Sequence, residues 1–486
     1  MKICVIGLDC CAPDIVFHDE RLSNIRRLMD AGLYGRLQSV IPPITVPAWM
    51  CMCTSQDPGS LGVYGFRNRT DYSYSGLGFA TSASIKEFAI WDQLAREGHR
   101  SILVGVPPGY PPRRINGISV GCFLTPDTTK DVYTHPPDIA RKIHELVGEY
   151  PVDVKGFRTD NKEWLKKEIF EMSRKQWQVV RWLLTEQEWD YFHFVDIGQD
   201  RVHHGFWDCF DKQHPNYVPG NPYENVIPEY YQLMDEQIGA VLEALDNDTI
   251  LLVVSDHGAQ RLDGGFVVNE WLIKEGLLVL DQPMPAKVTP FAKLKVNWAK
   301  TRVWSEGGYY ARVFFNVAGR EPQGIIPQAQ YEKFQDEMKA KFEALLTDKG
   351  APMNSLVFKP KEIYKAAKNV PPDLIVHFGG LYWRSIGSVG HGRLHVQEND
   401  TGPDACNHAQ YGMFLLAAPN CPLRGEYEGA RLLDIAPTLL DLAGYDIPDS
   451  MQGRSLVAGL EKKAPEGPSG EGEQIIHDRL AGLGYV

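Results

Sequence analysis

Several short apolar runs in this chain stop abruptly at a polar or acidic residue. The run Ile3–Leu8 ends before Asp9, 191–195 ends before Asp196, and Ile250–Val254 ends before Ser255-Asp256; 102–106, 374–378 and 413–416 have the same character. Unbroken runs of branched apolar residues suit strands covered on both faces, as in a mainly parallel sheet. Between them lie helical patterns at 87–96, 161–184, 228–245, 328–346 and 433–442. Strands alternating with helices predict a layered α/β fold. In such sheets chemistry gathers where strands end at their carboxyl side. Asp9 and Asp256 stand at two such ends, far apart in sequence.

With 486 residues, 43% of them hydrophobic, the chain can bury a large core. A prior of roughly 150 residues per domain would allow two or three domains; one main domain, 1–460, carrying insertions is the preferred division. The stretch 282–310 mixes Pro, Lys, Trp and Gly without periodicity and reads as a cap or insertion beside the cleft, extending to about 350. Residues 461–474 have a linker composition, and 475–486 read as a segment docking back on the body.

The formal net charge of −12 argues against a broad basic face for polymeric nucleic acid. Small anionic substrates stay possible, because bound cations reverse the field inside a cleft. Nine cysteines, an odd number at irregular spacings, read as free thiols in a reducing compartment. Cys51-Met-Cys53 lacks the spacer of a zinc knuckle. Met1-Lys2 runs straight into an apolar stretch too short for a signal-peptide core, and no run approaches the ~20 residues of a membrane span. The expected location is cytoplasmic.

Four clusters carry chemistry. Ser255-Asp256-His257-Gly258 follows a buried strand directly, placing a carboxylate and an imidazole at its end; a loop Asp capping a helix fits the same letters. In Asp200-Arg-Val-His-His204 the Asp and the His at i and i+4 share one helix face and can reach one cation in the mixed oxygen and nitrogen set zinc favours. His203 points elsewhere, toward packing. Asp9 closes the first strand as an anchor or a helix cap. In Ile41-Pro-Pro-Ile-Thr45-Val-Pro-Ala-Trp49, Pro42 and Pro43 bar a helix before Thr45, and Pro47 fits the first turn of a helix starting just after it. The Thr45 hydroxyl then sits at a helix N-terminus, where amides and the dipole favour an anion. A plain N-cap is the alternative.

Together these residues resemble the alkaline phosphatase superfamily, in its type I phosphodiesterase/nucleotide pyrophosphatase branch. The carrying motifs are Gly7-Leu-Asp9, Thr45-Val-Pro-Ala-Trp49, Asp200-Arg-Val-His-His204-Gly-Phe-Trp207, Ser255-Asp256-His257-Gly258 and Asn407-His408, in the family's chain order. The resemblance spans residues 1 to about 455, where Asp434-Ile-Ala-Pro-Thr-Leu-Leu is similar to the family's closing helix. It implies a three-layer sandwich with a large, mainly parallel central sheet flanked by helices, plus cap insertions. It implies two divalent metal ions, zinc by preference with manganese tolerated: one held by Asp200, His204 and His408, the other by Asp9, Asp256 and His257 together with Thr45. Thr45 would be the nucleophile, passing through a phospho-threonine that water then hydrolyses. Asn68 falls where relatives place an amide on a phosphate oxygen, and His391 is a weaker candidate. The substrate would be a small phosphate ester, nucleotide-like, with Trp304, Tyr309 and Tyr310 available to stack on a base or to be ordinary core.

The Pro-x-x-His-Gly of relatives reads Leu61-Gly62 here. Diesters are favoured over monoesters, because no Arg or third metal site for the extra phosphate charge stands out. A phosphoryl transferase or mutase of the same superfamily is the neighbouring reading, though the 282–310 insertion is small for a water-excluding cap. A sulfatase would need Cys/Ser-x-Pro-x-Arg, and Cys11-Ala-Pro-Asp-Ile15 lacks the Arg. An inactive metal-binding homologue would not need to keep all six ligands and the threonine.

Overall fold

The computed structural model describes residues 1–462, so most of the 461–474 linker and all of the 475–486 docking segment lie outside the described residues. Its centre is a ten-stranded sheet. In chain order its main strands are β1 (Ile3–Leu8), β2 (Leu33–Gln38), β3 (Ser101–Val104), β4 (Gly117–Val120), β5 (Thr134–His135), β6 (Tyr191–Asp196), β7 (Ile250–Val254), β8 (Tyr411–Ala417) and β9 (Gly425–Glu426). Across the sheet they run β9-β2-β8-β7-β1-β6-β3-β4-β5, and Ala430–Arg431 also pairs with β2. The middle strands β7, β1, β6, β3 and β4 are parallel, while β8 and β5 enter antiparallel. Strand β1 is buried along its whole length, as its unbroken apolar run requires.

Helices cover both faces. One apolar cluster joins β1, β6 and the helices α2 (Lys162–Glu186), α3 (Gly198–Phe210) and α4 (Val226–Ala244). The other packs α1 (Thr45–Thr54) and Ile435–Ala443 on the opposite face. The fold is therefore a three-layer α/β sandwich. Among the described residues no helix is long and apolar enough to cross a membrane.

Two expectations shift. The run at 374–378 forms a buried strand, Leu374–His377, but outside the central sheet. It is the third strand of a four-stranded antiparallel sheet with Val303–Glu306, Ala311–Phe315 and Leu356–Phe358, backed by the helix Tyr331–Glu343 and a separate apolar cluster. A continuous apolar run reports burial on both faces, not which sheet supplies the cover. The second shift is at Thr45, which begins α1 instead of preceding it, with Pro47 as the third helical residue. The first four amides of a helix have no intrahelical acceptor, so a proline there costs no hydrogen bond.

This side lobe includes part of the 282–310 stretch. Its hairpin between Val303–Glu306 and Ala311–Phe315 is tied to the short strand Cys406–Ala409, outside the central sheet, where the Tyr309 carbonyl accepts from Asn407 Nδ2 at 3.0 Å.

Candidate metal centre

The parallel register sets three carboxylates in place. Leu8 pairs with Asp196 and Gly7 with Val254, so β1, β6 and β7 end level, and Asp9, the start of α3 and Asp256 leave from one edge. Asp196 itself is spent on structure: it accepts from the backbone of Gly198, from Trp177 Nε1 and from the Tyr230 hydroxyl, at 2.7 to 2.8 Å. It caps α3 and lets that helix present Asp200 and His204 one turn on. A short ribbon, Gly258–Arg261 against Cys406–Ala409, brings the last donor in: Ala259 pairs with His408, and the His408 ring stacks on His257 at 3.9 Å.

The result is two groups of donor atoms, each within 4.8 Å of one another: Asp9, Asp256 and His257, and Cys10, Asp200, His204 and His408. Asp9, Asp256 and His257 are fully buried; Asp200, His204, His408 and Thr45 are exposed by 3% or less. Thr45 lies at the first group, with Oγ1 3.4 Å from Asp9 Oδ1 and 3.3 Å from His257 Nε2.

Each of the three carboxylates is anchored by one oxygen; the other oxygen of Asp9 meets the Thr45 hydroxyl, and those of Asp256 and Asp200 are left open. Asp9 Oδ2 accepts from Trp49 Nε1 at 2.7 Å, Asp256 Oδ1 from the Cys10 amide at 3.2 Å, and Asp200 Oδ2 from Arg201. Asp256 Oδ2 and Asp200 Oδ1 are buried and have no hydrogen-bond donor. The imidazoles follow the same rule. His257 Nδ1 faces Gly258 O at 3.1 Å, His408 Nδ1 faces Pro43 O at 2.9 Å, and His204 Nδ1 faces Asp404 Oδ1 at 2.6 Å. Those oxygens only accept, so each Nδ1 carries a proton; the Nε2 atoms of neutral His257 and His408 turn a lone pair toward the carboxylates, and His204 Nε2 faces Asp200 Oδ1 at 3.2 Å. Nε2 of His204 and His408 lie 3.4 Å apart, and His257 Nε2 is 3.1 Å from Asp256 Oδ2.

Such a gathering of acceptors is costly alone: two like charges at 4 Å repel by about 4 kcal/mol even at an effective dielectric of 20. The direction of each shift records the strain. Burial, then the Asp200 charge, pushes the Asp9 carboxyl up; burial, then Asp9, does the same to Asp256. Burial lowers His257 to about 4 and, with His257 beside it, holds His408 far below its usual value. Neutral imidazoles at His257 and His408, the His204 ring once it gives up its Nε2 proton, and three buried carboxylates are a donor set that a divalent cation takes, so the residues fit the metals that the fold implies.

Sequence reasoning missed the support of His204. Burial alone would lower this imidazole, but Asp404 and Asp200 hold it well above the usual value. Asp404 is itself kept ionised against burial by His204, Arg158 and Arg384; both guanidiniums reach its Oδ2 at 2.8 Å. No local pattern marks this set, whose members lie up to 246 positions apart. Arg201, beside Asp200, also makes a two-pronged ion pair to Asp153 at 2.7 and 3.0 Å.

The remaining candidates divide. Tyr309 stacks on His408 at 4.3 Å and bonds Arg158, so it borders the centre; Trp304 and Tyr310 are core residues. The Asn68 amide is engaged in its own turn, accepting from the Tyr64 amide and donating to Gly65 O. His203 bonds Tyr231 and Gln199, and His391 bonds Ser388, so neither joins the two groups.

A layered α/β sheet with two Asp/His groups at the carboxyl ends of its parallel strands is the arrangement that the resemblance to the alkaline phosphatase superfamily implies. Residues 3–404 match the family "Type I phosphodiesterase / nucleotide pyrophosphatase", and the chain belongs to it. No curated protein matches. Among solved structures the chain is similar to murine ectonucleotide pyrophosphatase/phosphodiesterase 5, both as an inactive variant in complex with AMP (TM-score 0.53, 14% identity) and in a second structure (0.52, 15%). The human counterpart has a TM-score of 0.50 at 14% identity; each alignment covers 92% of this chain and 96% of the other.

Proposed function

We propose that the protein is a two-metal phosphodiesterase of the nucleotide pyrophosphatase type, acting through Thr45. The observation that carries this reading is the Thr45 hydroxyl at the N-terminus of α1, between Asp9 Oδ1 and His257 Nε2. Asp9, Asp256 and His257 would hold one cation and Asp200, His204 and His408 the other. Zinc or manganese there would supply Lewis acidity, stabilising negative charge on the attacking and leaving oxygens.

The chain's own part is positioning. Thr45 Oγ1 gives up its proton to solvent and forms the new bond to phosphorus as the bond to the leaving oxygen breaks, the leaving group taking a proton from water. The free amides at the start of α1 favour the phosphoryl oxygens. Water then cleaves the phospho-threonine and restores the hydroxyl. Tyr309, half-buried, stacks on His408 beneath the Arg384 guanidinium and so borders the space a substrate would enter; the AMP bound to the murine structural neighbour is in keeping with a nucleotide-like substrate. The nine cysteines, all free and all buried, accord with a reducing, cytoplasmic compartment.

Turnover of bis(p-nitrophenyl) phosphate should fall on the order of 10³-fold or more in Thr45→Ala, and acid-quenched wild type should carry phosphate on Thr45. Equal turnover in the variant would overturn the nucleophile assignment. Phosphomonoester hydrolysis has one observation on its side: Arg158 and Arg384 each leave a buried Nε unbonded near the centre. A higher kcat/KM on p-nitrophenyl phosphate than on the diester would decide for it.

A further inference from the structure

Cys10 follows Asp9 at the end of β1 and is fully buried. Its backbone takes a left-handed conformation with φ 64°. The thiol thereby falls among polar groups instead of the apolar core beneath: Sγ donates to Gly258 O at 3.4 Å and lies within 4.8 Å of the donor atoms of Asp200, His204 and His408. A buried cysteine can simply fill space. A second observation speaks for a ligand here: Asp200 Oδ1, in the same group, is buried without a hydrogen bond, with His204 Nε2, another donor atom of the group, 3.2 Å away. Four donor atoms of three chemical types thus converge with an acceptor left open between them.

We infer that Cys10 Sγ is a fourth protein donor to the cation held by Asp200, His204 and His408, and that it makes this half of the centre selective for zinc. The inference rests on the two-metal reading above. Engagement forms one metal–sulfur bond and releases the Sγ proton to solvent, since the thiolate is the ligand. Sulfur favours zinc over manganese, whereas the Asp9, Asp256 and His257 group offers oxygen and nitrogen alone and discriminates less. The paired centre would then be chemically unequal, with one site committed to zinc and the other tolerant.

Cobalt-loaded full-length protein tests this, with metal content and the absorption spectrum measured on the same sample. The expected result is two bound cobalt ions per chain and a thiolate-to-cobalt charge-transfer band that disappears in Cys10→Ser and persists in Cys406→Ser. Zinc binding at one of the two sites should weaken at least about tenfold in Cys10→Ser, with one fewer proton released on loading. X-ray absorption of the wild-type zinc protein should show a sulfur scatterer at about 2.3 Å, a readout that needs no variant to fold. Two bound ions with no sulfur signature, or a band unchanged in Cys10→Ser, would overturn the role of Cys10 and leave the two-metal reading standing. Fewer than two bound ions would overturn both.

Discussion

Asp9, Asp256 and His257 leave the ends of two adjacent parallel strands, whereas Asp200, His204 and His408 come from one helix and a distant ribbon. The first group is aligned by the sheet itself: its imidazole is oriented by the next residue's carbonyl, Gly258 O. The second has no such frame. It relies on Asp404, which the central sheet does not carry, and on the two arginines that keep Asp404 ionised. A group built on strand ends holds its own geometry, and a group assembled from separate elements needs a dedicated support. The two should fail in different ways.

Removing a donor from either group is the harshest test. Asp256→Ala and Asp200→Ala should each lower kcat on the order of 10³-fold or more and reduce the bound metal from two to one per chain, counted by elemental analysis. A variant that keeps both ions would break the pairing of residue to site. Asp404→Asn should separate the groups more finely. It removes the charge behind His204 and should weaken one metal site by about 10- to 100-fold while sparing the other; equal weakening of both would erase the contrast.

The legibility of the two groups in the sequence follows the same line. Asp9 and Asp256 could be placed at the edge of a sheet because apolar runs stop at them. Asp200 and His204 were tied together by helical spacing. His408 has no local signature and was reached only through resemblance. Asp404, Arg158 and Arg384 were not found, because their importance lies in one shared contact among residues up to 246 positions apart. The Leu374–His377 strand shows the matching limit for the fold: burial is written in composition, but the choice of sheet depends on partners.

Smaller effects sharpen the comparison further. Chelation should lower the melting temperature, since a ligand at 100 times its Kd stabilises by about 2.7 kcal/mol; Asp404→Asn should lose part of that shift and Asp256→Ala a different part. His193, buried and a member of neither group, serves as the control; it packs edge-on against Trp49 at 5.7 Å. Burial lowers its imidazole to about 3, below the unfolded value near 6.5. The unfolded chain therefore binds a proton the folded one refuses, and stability falls as pH drops from about 6.5 toward 3, by up to about 1.4 kcal/mol per unit. His193→Phe should flatten that slope in urea melts without altering metal content.

The central claim is that six buried Asp and His side chains hold a pair of cations beside Thr45. Anomalous diffraction at the zinc edge, from crystals grown with zinc, tests it directly. Two peaks are predicted, one among Asp9, Asp256 and His257 next to the Thr45 hydroxyl and one among Asp200, His204 and His408. Peaks elsewhere, or none within these groups, would contradict it.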